Sequence, residues 1–386
     1  MSNPRDLLIG IVSNPEQMAS LALDEWDLLI RQARSAGLLA YLYDTAERLN
    51  LLDSVQEGPY AHLYSARILT NKHQRDIRWE VHCILRALEE HQHPVILLKG
   101  AAYLMAGLPI SKARIFSDVD ILVPKEEIGK TEETLRLKGW VSNTPDDYDQ
   151  RYYRTWMHEL PPMRHRVRNT TLDVHHNILP TTARLHPDAD RLRNNASTVA
   201  GYDRLQVFAP EDMVLHSATH LFHDGELEHG IRDLVDLDSL LRHFSEENSG
   251  FWGTLITRAE VIGLQRPLYY ALNYTNGILQ TPVPSEVMQG IQSSGPGPLL
   301  SRLMDSLFTR ALRPDHSSCN DPFTGIARWM LYIRSHYLRM PPSLLIPHLL
   351  YKAIVAPYKD WKKAKEEKPV TNLNEFMKNI KADKQL

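Results

Sequence analysis

Cysteine is nearly absent: the 386 residues contain two, Cys83 and Cys319, and neither lies in a C-x-x-C or other ligand spacing. A disulfide-stapled scaffold and a thiolate zinc site are therefore excluded as organising features. Long apolar runs are missing too, since no stretch approaches the roughly 18–20 residues that a membrane-spanning helix needs. The opening MSNPRDLLIGIVSNPEQMAS has no basic leader followed by a sustained apolar segment, so the expected compartment is the cytoplasm. Neither sign of charge dominates. Asp and Glu number 47 against 44 Lys and Arg, which leaves no global basic field to draw in a nucleic-acid backbone. Internal repeats and low-complexity tracts are also lacking. What is present is a globular composition, 43% hydrophobic and 24% charged, which excludes wholesale disorder, a collagen-like repeat and a coiled-coil rod.

Residues 1–90 carry helix-period apolar patterns, such as Trp26, Leu29, Ile30 and Ala33 followed by Leu38, Leu39, Leu42 and Ala46. After His93-Pro94 the texture changes. Val95 to Leu98 is a short continuous apolar run that predicts a strand ending at Lys99-Gly100, then a helix from Ala101 to Ala106 closed by Gly107 and Pro109. Ile115 to Val123 predicts a second strand stopped by Pro124, and Lys125 to Lys138 a helix stopped by Gly139. Further strand-like stretches occupy Trp140 to Asn143, Val167 to Ile178 and Arg204 to Phe208, while the aromatic and basic connection from Tyr148 to Arg166 has no readable pattern. Pro210, Glu211 and Asp212 suit a helix first turn, and from Met213 to about Tyr358 the pattern is nearly all helical. The expected fold is α+β: a helical N-terminal region (1–90), a core with a mixed sheet (91–208), a helical C-terminal domain (209–358) and a charged tail (359–386).

Three words in the core carry chemistry. In Ser117-Asp118-Val119-Asp120-Ile121-Leu122-Val123, strand alternation puts both aspartates on one face and Val119, Ile121 and Val123 on the other. Neighbouring carboxylates repel unless a cation or proton compensates, and oxygen ligands of this kind suit Mg²⁺ bound together with substrate phosphates. The same alternation in Thr171 to His176 groups Asp173 with His175, making Asp173 a candidate third carboxylate. Lys99-Gly100 stands where strand becomes helix, a place where backbone N–H groups meet phosphate and a glycine permits close approach. Arg114, four residues before Asp118, can meet phosphate oxygens in a fork.

These words resemble the nucleotidyltransferase fold of the DNA polymerase β superfamily, in particular a large bacterial branch with an LKG turn, an R-x-x-S-D-x-D strand and a later D-x-H strand. The resemblance covers about Pro94 to Pro180 and extends more weakly to about Arg242. It implies transfer of a nucleoside monophosphate from a nucleoside triphosphate, ATP among the expected donors, to a small-molecule, sugar, peptide or protein acceptor, with release of pyrophosphate. It also implies that Asp118 and Asp120 bind two Mg²⁺, with Asp173 completing the site and accepting the proton of an acceptor hydroxyl. Gly100 is expected to hold phosphate, helped by Lys99, Arg114, Ser117 and His175. Where the superfamily has Gly-Ser or Gly-Gly, this chain has Lys99-Gly100-Ala101, which puts no hydroxyl beside the glycine and leaves Lys99 as the substitute.

Two further features complete the reading. His216, His220, His223, Asp224, His229, Arg232, Asp233 and Asp236 form a polar cluster in which His216, His220 and the pair His223/Asp224 follow at one-turn intervals. The expectation is that this face closes over the cleft, with His220, Arg232 and Asp233 touching nucleotide or acceptor. The histidine row keeps open a second reading, a His/Asp metal-dependent phosphohydrolase. A third is a non-catalytic nucleotide-binding module of the same fold. Residues 343–363, apolar and then rich in aromatics and lysine, fit peripheral membrane or protein contact. Nucleic acid is disfavoured as a partner, because the one concentrated basic and aromatic stretch, Arg151 to Arg168, equally suits an anionic acceptor.

Overall fold

A computed structural model of the chain describes residues 3–116, 118–142, 147–225 and 227–351. Val95–Leu98 forms strand β1 with all four side chains buried, the pattern of a strand covered on both faces. The chain then turns through the helix Lys99–Met105 and returns as β2, Asp118–Leu122. Five more strands follow: β3 (Trp140–Ser142), β4 (Met163–His165), β5 (Thr171–His175), β6 (Ser197–Thr198) and β7 (Leu205–Val207). They join in one mixed sheet of order β3-β4-β5-β2-β1-β7-β6. β2 runs antiparallel to β1, with Leu98 opposite Asp120. It runs parallel to β5, with Asp120 opposite Asp173.

β2 starts three residues later than its apolar pattern predicts. Arg114 turns away to pair with Asp236, and Phe116 packs against Gly100, so neither continues the ladder. The unread connection from Tyr148 holds a helix, Asp147–Trp156, and β4. In β4 the buried Met163 and His165 flank the exposed Arg164, an alternation too short to stand out. The stretch predicted as a strand from Val167 narrows to Thr171–His175, because Asn169 takes φ 58° in the turn between β4 and β5.

Helices frame the sheet as the periodicity predicts. The longest among the described residues, Glu57–Ala87, spans about 46 Å at helical rise. Its buried Glu80 receives two hydrogen bonds from Arg168, at 2.7 and 3.0 Å, and the same guanidinium lies 4.7 Å from the centre of the Trp140 ring. The helix is thereby fixed to the β4–β5 turn. Just past its C-terminal end, Arg204 donates to the carbonyls of Leu88, His91 and His93, satisfying one group that the helix leaves orphaned. In the second half, fully buried Asp212 is held by Arg258 at 2.8 Å through both oxygens and by Asn195 at 2.9 Å. Buried Gln32 accepts from the Leu8 N–H and donates to Pro4 O and Ser318 Oγ, which ties the N-terminal helices to the later ones.

The chain divides into Met1–Arg339 and Met340–Leu386, and the expected boundaries near 90 and 208 fall inside the first unit. In the second, Pro342–Leu350 is helical. The remainder of the predicted contact segment 343–363, beyond Tyr351, and the charged tail lie outside the described residues. Among the described residues no helix is long and apolar enough to cross a membrane.

Candidate active site

Alternation along β2 puts Asp118 and Asp120 on one face, and the parallel register with β5 sets Asp173 beside Asp120. Their environments differ. Asp118 and Asp173 are half-buried, whereas Asp120 is 3% exposed, so the pair is less open than the sequence implied. Asp120 Oδ1 accepts from Lys99 Nζ at 2.9 Å and lies 3.1 Å from His175 Nε2. Burial opposes charge on Asp120, but Lys99 and His175 outweigh it and hold the carboxyl well below the usual carboxylate range. Burial likewise opposes charge on Lys99, yet Asp120, with Asp118 and Glu159, keeps the ammonium above its ordinary range. Asp173 goes the other way. Burial and the Asp120 charge push it up to about 7, and its Oδ1 is buried without a hydrogen-bond partner.

Lys99 reaches Asp120 because of where the backbone places it. Leu98 pairs with Asp120, and the next residue, Lys99, takes φ 47°, the left-handed region that non-glycine residues seldom enter. At Gly100 a side chain would not fit, since an added Cβ would lie 2.6 Å from Phe116 Cδ1.

This face opens on a cleft of about 440 Å³. Lys99, Gly100, Arg114, Asp118 and Asp120 line one wall, and His220, Arg232 and Asp233 line the other, with Tyr103, Phe116, Ser217, His229 and Asp236 among the remaining lining residues. The predicted contacts from the helical half are thus brought to the same cavity as the strand residues. Their stripe is helical: His229, Arg232, Asp233 and Asp236 recur at three- and four-residue steps. His220 enters from a π-turn, His220–Asp224, that closes at Gly225 with φ 73°. Such turns often mark functional sites. Arg232 donates to Asp233 at 3.0 and 3.1 Å. Arg114 lies over the Tyr103 ring, 5.7 Å from its centre, and forms an ion pair with Asp236. Burial, offset in part by Arg114 and reinforced by Asp233, pushes Asp236 up to about 6.

Asp173 and His175 do not line this cavity; they stand beside and behind Asp120. His216 is buried and packs edge-on against Phe208, with ring centres 5.7 Å apart. Burial, with Lys99 adding, holds its imidazole well below 6.5, so it is a neutral packing residue. Ser117 and the side chain of Asp224 lie outside the described residues. Among those described, one His/Cys/Asp/Glu group has ligand atoms all within 4.8 Å of one another: His158, Glu159 and His175. The histidine row does not converge in this way, and nor do the three aspartates. His158 and Glu159 went unread because only backbone pairing brings them here: Glu159 bridges His175, and the His176 N–H reaches His158 O at 2.8 Å.

The aspartate face fits an oxygen-ligated cation. Asp118, Asp120 and Asp173 bring three carboxylates, against which Lys99 is the ammonium in contact, and the buried Asp173 Oδ1, which has no hydrogen-bond partner, is an oxygen that a cation would satisfy.

A family model described as "Uncharacterised nucleotidyltransferase" matches residues 23–280, well over half of the chain, and the chain belongs to that family. Among solved structures it is similar to JHP933 from Helicobacter pylori, at 16% identity over 61% of this chain and 94% of that one, with a TM-score of 0.26. No curated protein matches.

Proposed function

We propose that this member of the family moves a nucleoside monophosphate from a nucleoside triphosphate to a hydroxyl of a small-molecule, sugar, peptide or protein acceptor, releasing pyrophosphate. The observation that carries the reading is the β2–β5 register, which sets Asp173 beside Asp120, while Asp118 and Asp120 line a cleft together with Lys99 and Gly100. In this reading residues 91–208 are the catalytic core, and the helical residues from 209 onward supply the facing wall.

Gly100, having no side chain, lets the triphosphate approach the main chain, and the Lys99 ammonium turns from Asp120 to its oxygens. Asp118, Asp120 and Asp173 would hold Mg²⁺, which when bound supplies neutralisation of phosphate charge and polarisation of the α-phosphoryl group. The acceptor oxygen attacks the α-phosphorus in line. Its new O–P bond forms as the bond from the α-phosphorus to the bridging oxygen breaks, and pyrophosphate leaves with that electron pair. The acceptor's proton is assigned to Asp173, the carboxyl opposite Asp120 whose affinity for a proton is raised to about 7. His220, Arg232 and Asp233 orient nucleotide or acceptor from the opposite wall and help to exclude water.

Calorimetric titration of each ribonucleoside triphosphate, with and without Mg²⁺, tests this. Wild-type protein is expected to bind at least one of them in a Mg²⁺-dependent way, and Asp118→Asn/Asp120→Asn protein to lose that dependence. Equal Mg²⁺-dependent binding by both proteins would overturn the assignment. Transfer of labelled α-phosphate across an acceptor panel then identifies the second substrate.

A further inference from the structure

We propose that His158, Glu159 and His175 hold a divalent transition ion of the zinc class, at a site distinct from the magnesium-type aspartate face. Two imidazoles and a carboxylate form a borderline-soft donor set that suits Zn²⁺, whereas the aspartates offer oxygen alone. Three observations carry the proposal.

The first is convergence. One ligand atom from each of the three residues lies within 4.8 Å of the others, and the two histidine rings are 5.3 Å apart.

The second is rigidity. The segment bearing His158 and Glu159 is laid antiparallel along the end of β5 by the Glu159–His175 bridge, by Leu160 N–H to Val174 O at 2.9 Å and by His176 N–H to His158 O at 2.8 Å. Backbone pairing therefore fixes the donor positions before any ion arrives.

The third is the condition of His175, which is 3% exposed. Its Nε2 faces Asp120 Oδ1 at 3.1 Å, an arrangement that fixes the ring and leaves Nδ1 for a metal, as carboxylates do for metal-bound histidines. Nδ1 is buried and makes no hydrogen bond, although Glu159 Oε2 is only 3.2 Å away. A buried nitrogen that close to a carboxylate oxygen, yet not aligned as a donor to it, is accounted for by a cation between them. Asp120 then belongs to both sites, presenting Oδ1 to His175 and leaving Oδ2 for the cleft.

The site stands independently of nucleotidyl transfer, and its test reads metal alone. Full-length protein stripped with chelator is titrated with Zn²⁺, and with Co²⁺ as a visible-absorbing probe, while thermal melting monitors the fold. Wild type is expected to bind one equivalent. Glu159→Gln, an isosteric change at a half-buried position, and His158→Ala should each weaken binding by at least ~10-fold, and His220→Ala should bind as wild type. Absence of stoichiometric binding to folded wild type would overturn the proposal and leave His175 as an imidazolium held between two carboxylates. Binding lost in His220→Ala but kept in Glu159→Gln would move the ion to the histidine row and overturn it equally. Zinc binding without transfer activity would leave this site standing and count against the proposed reaction alone.

Discussion

The two walls of the cleft are assembled by different rules. On the sheet wall, each polar group sits where strand alternation and register put it, and side chains from three elements are locked together: Lys99 after β1, Asp120 on β2 and His175 on β5. On the helical wall, a single stripe supplies the charges, and Arg232 bonds to its own neighbour Asp233. Arg114 ties the walls to each other, through Asp236. A site built across strands binds its acidity into the fold, whereas a site built along one helix can change residues with little cost to the rest. The sheet wall should therefore fail in both activity and stability, and the helical wall in activity alone.

The largest effect should come from Asp120→Asn. Transfer is expected to fall by at least ~10²-fold, the range for losing one preorganised electrostatic group. Stability should fall by about 1–3 kcal/mol as Lys99 and His175 lose their charged acceptor, measured by urea unfolding beside labelled-nucleotide turnover. An equal stability loss in Asp233→Asn would break the distinction between the walls. Next is Gly100→Ala, whose methyl would meet the Phe116 ring at 2.6 Å. Overpacking of this kind costs about 1–3 kcal/mol, and nucleotide affinity should drop with it. Phe116→Leu in the same background should recover part of both; no recovery would place the cause elsewhere. A smaller effect is expected of Arg232→Ala, roughly 1–2 kcal/mol of transition-state binding for a lost charged hydrogen bond, with an unchanged melting temperature. A lowered melting temperature would mean that the helical wall is also structural.

The smallest effect belongs to pH. In the unfolded chain His216 takes up a proton near its ordinary 6.5, but in the fold only well below that. As pH falls through 6.5 the unfolded state binds the additional proton, so the contribution present above 6.5 is progressively lost on acidification. Denaturation curves of His216→Phe should show a shallower decline between neutral and acidic pH than wild type, and parallel curves would remove His216 from that dependence.

Much of this architecture is legible in the residues, and its gaps have physical causes. A period of two is enough to put Asp118 with Asp120 and Asp173 with His175, because strand faces depend on the local chain alone. That Asp120 stands opposite Asp173 is a matter of register between strands far apart in the chain, which side-chain alternation does not encode. The stripe from His229 to Asp236 reads as one helix face, but its meeting with Arg114 depends on how two halves of the molecule pack. His158 and Glu159 lay in a stretch without periodicity, since their positions come from a hairpin turned at Asn169. β2 reads too long for a similar reason: Ile115 and Phe116 look like strand residues, but Phe116 packs against Gly100 instead.

The left-handed backbone at Lys99 has a wider consequence. By delivering an ammonium to Asp120, it gives the protein a resident counter-ion, so the acidic cluster is already neutralised in part when no metal or nucleotide is present. Folding and the supply of divalent cation are thereby separated. On the reaction proposed above, such a chain would persist intact and idle without its divalent cation and resume work once the ion returned.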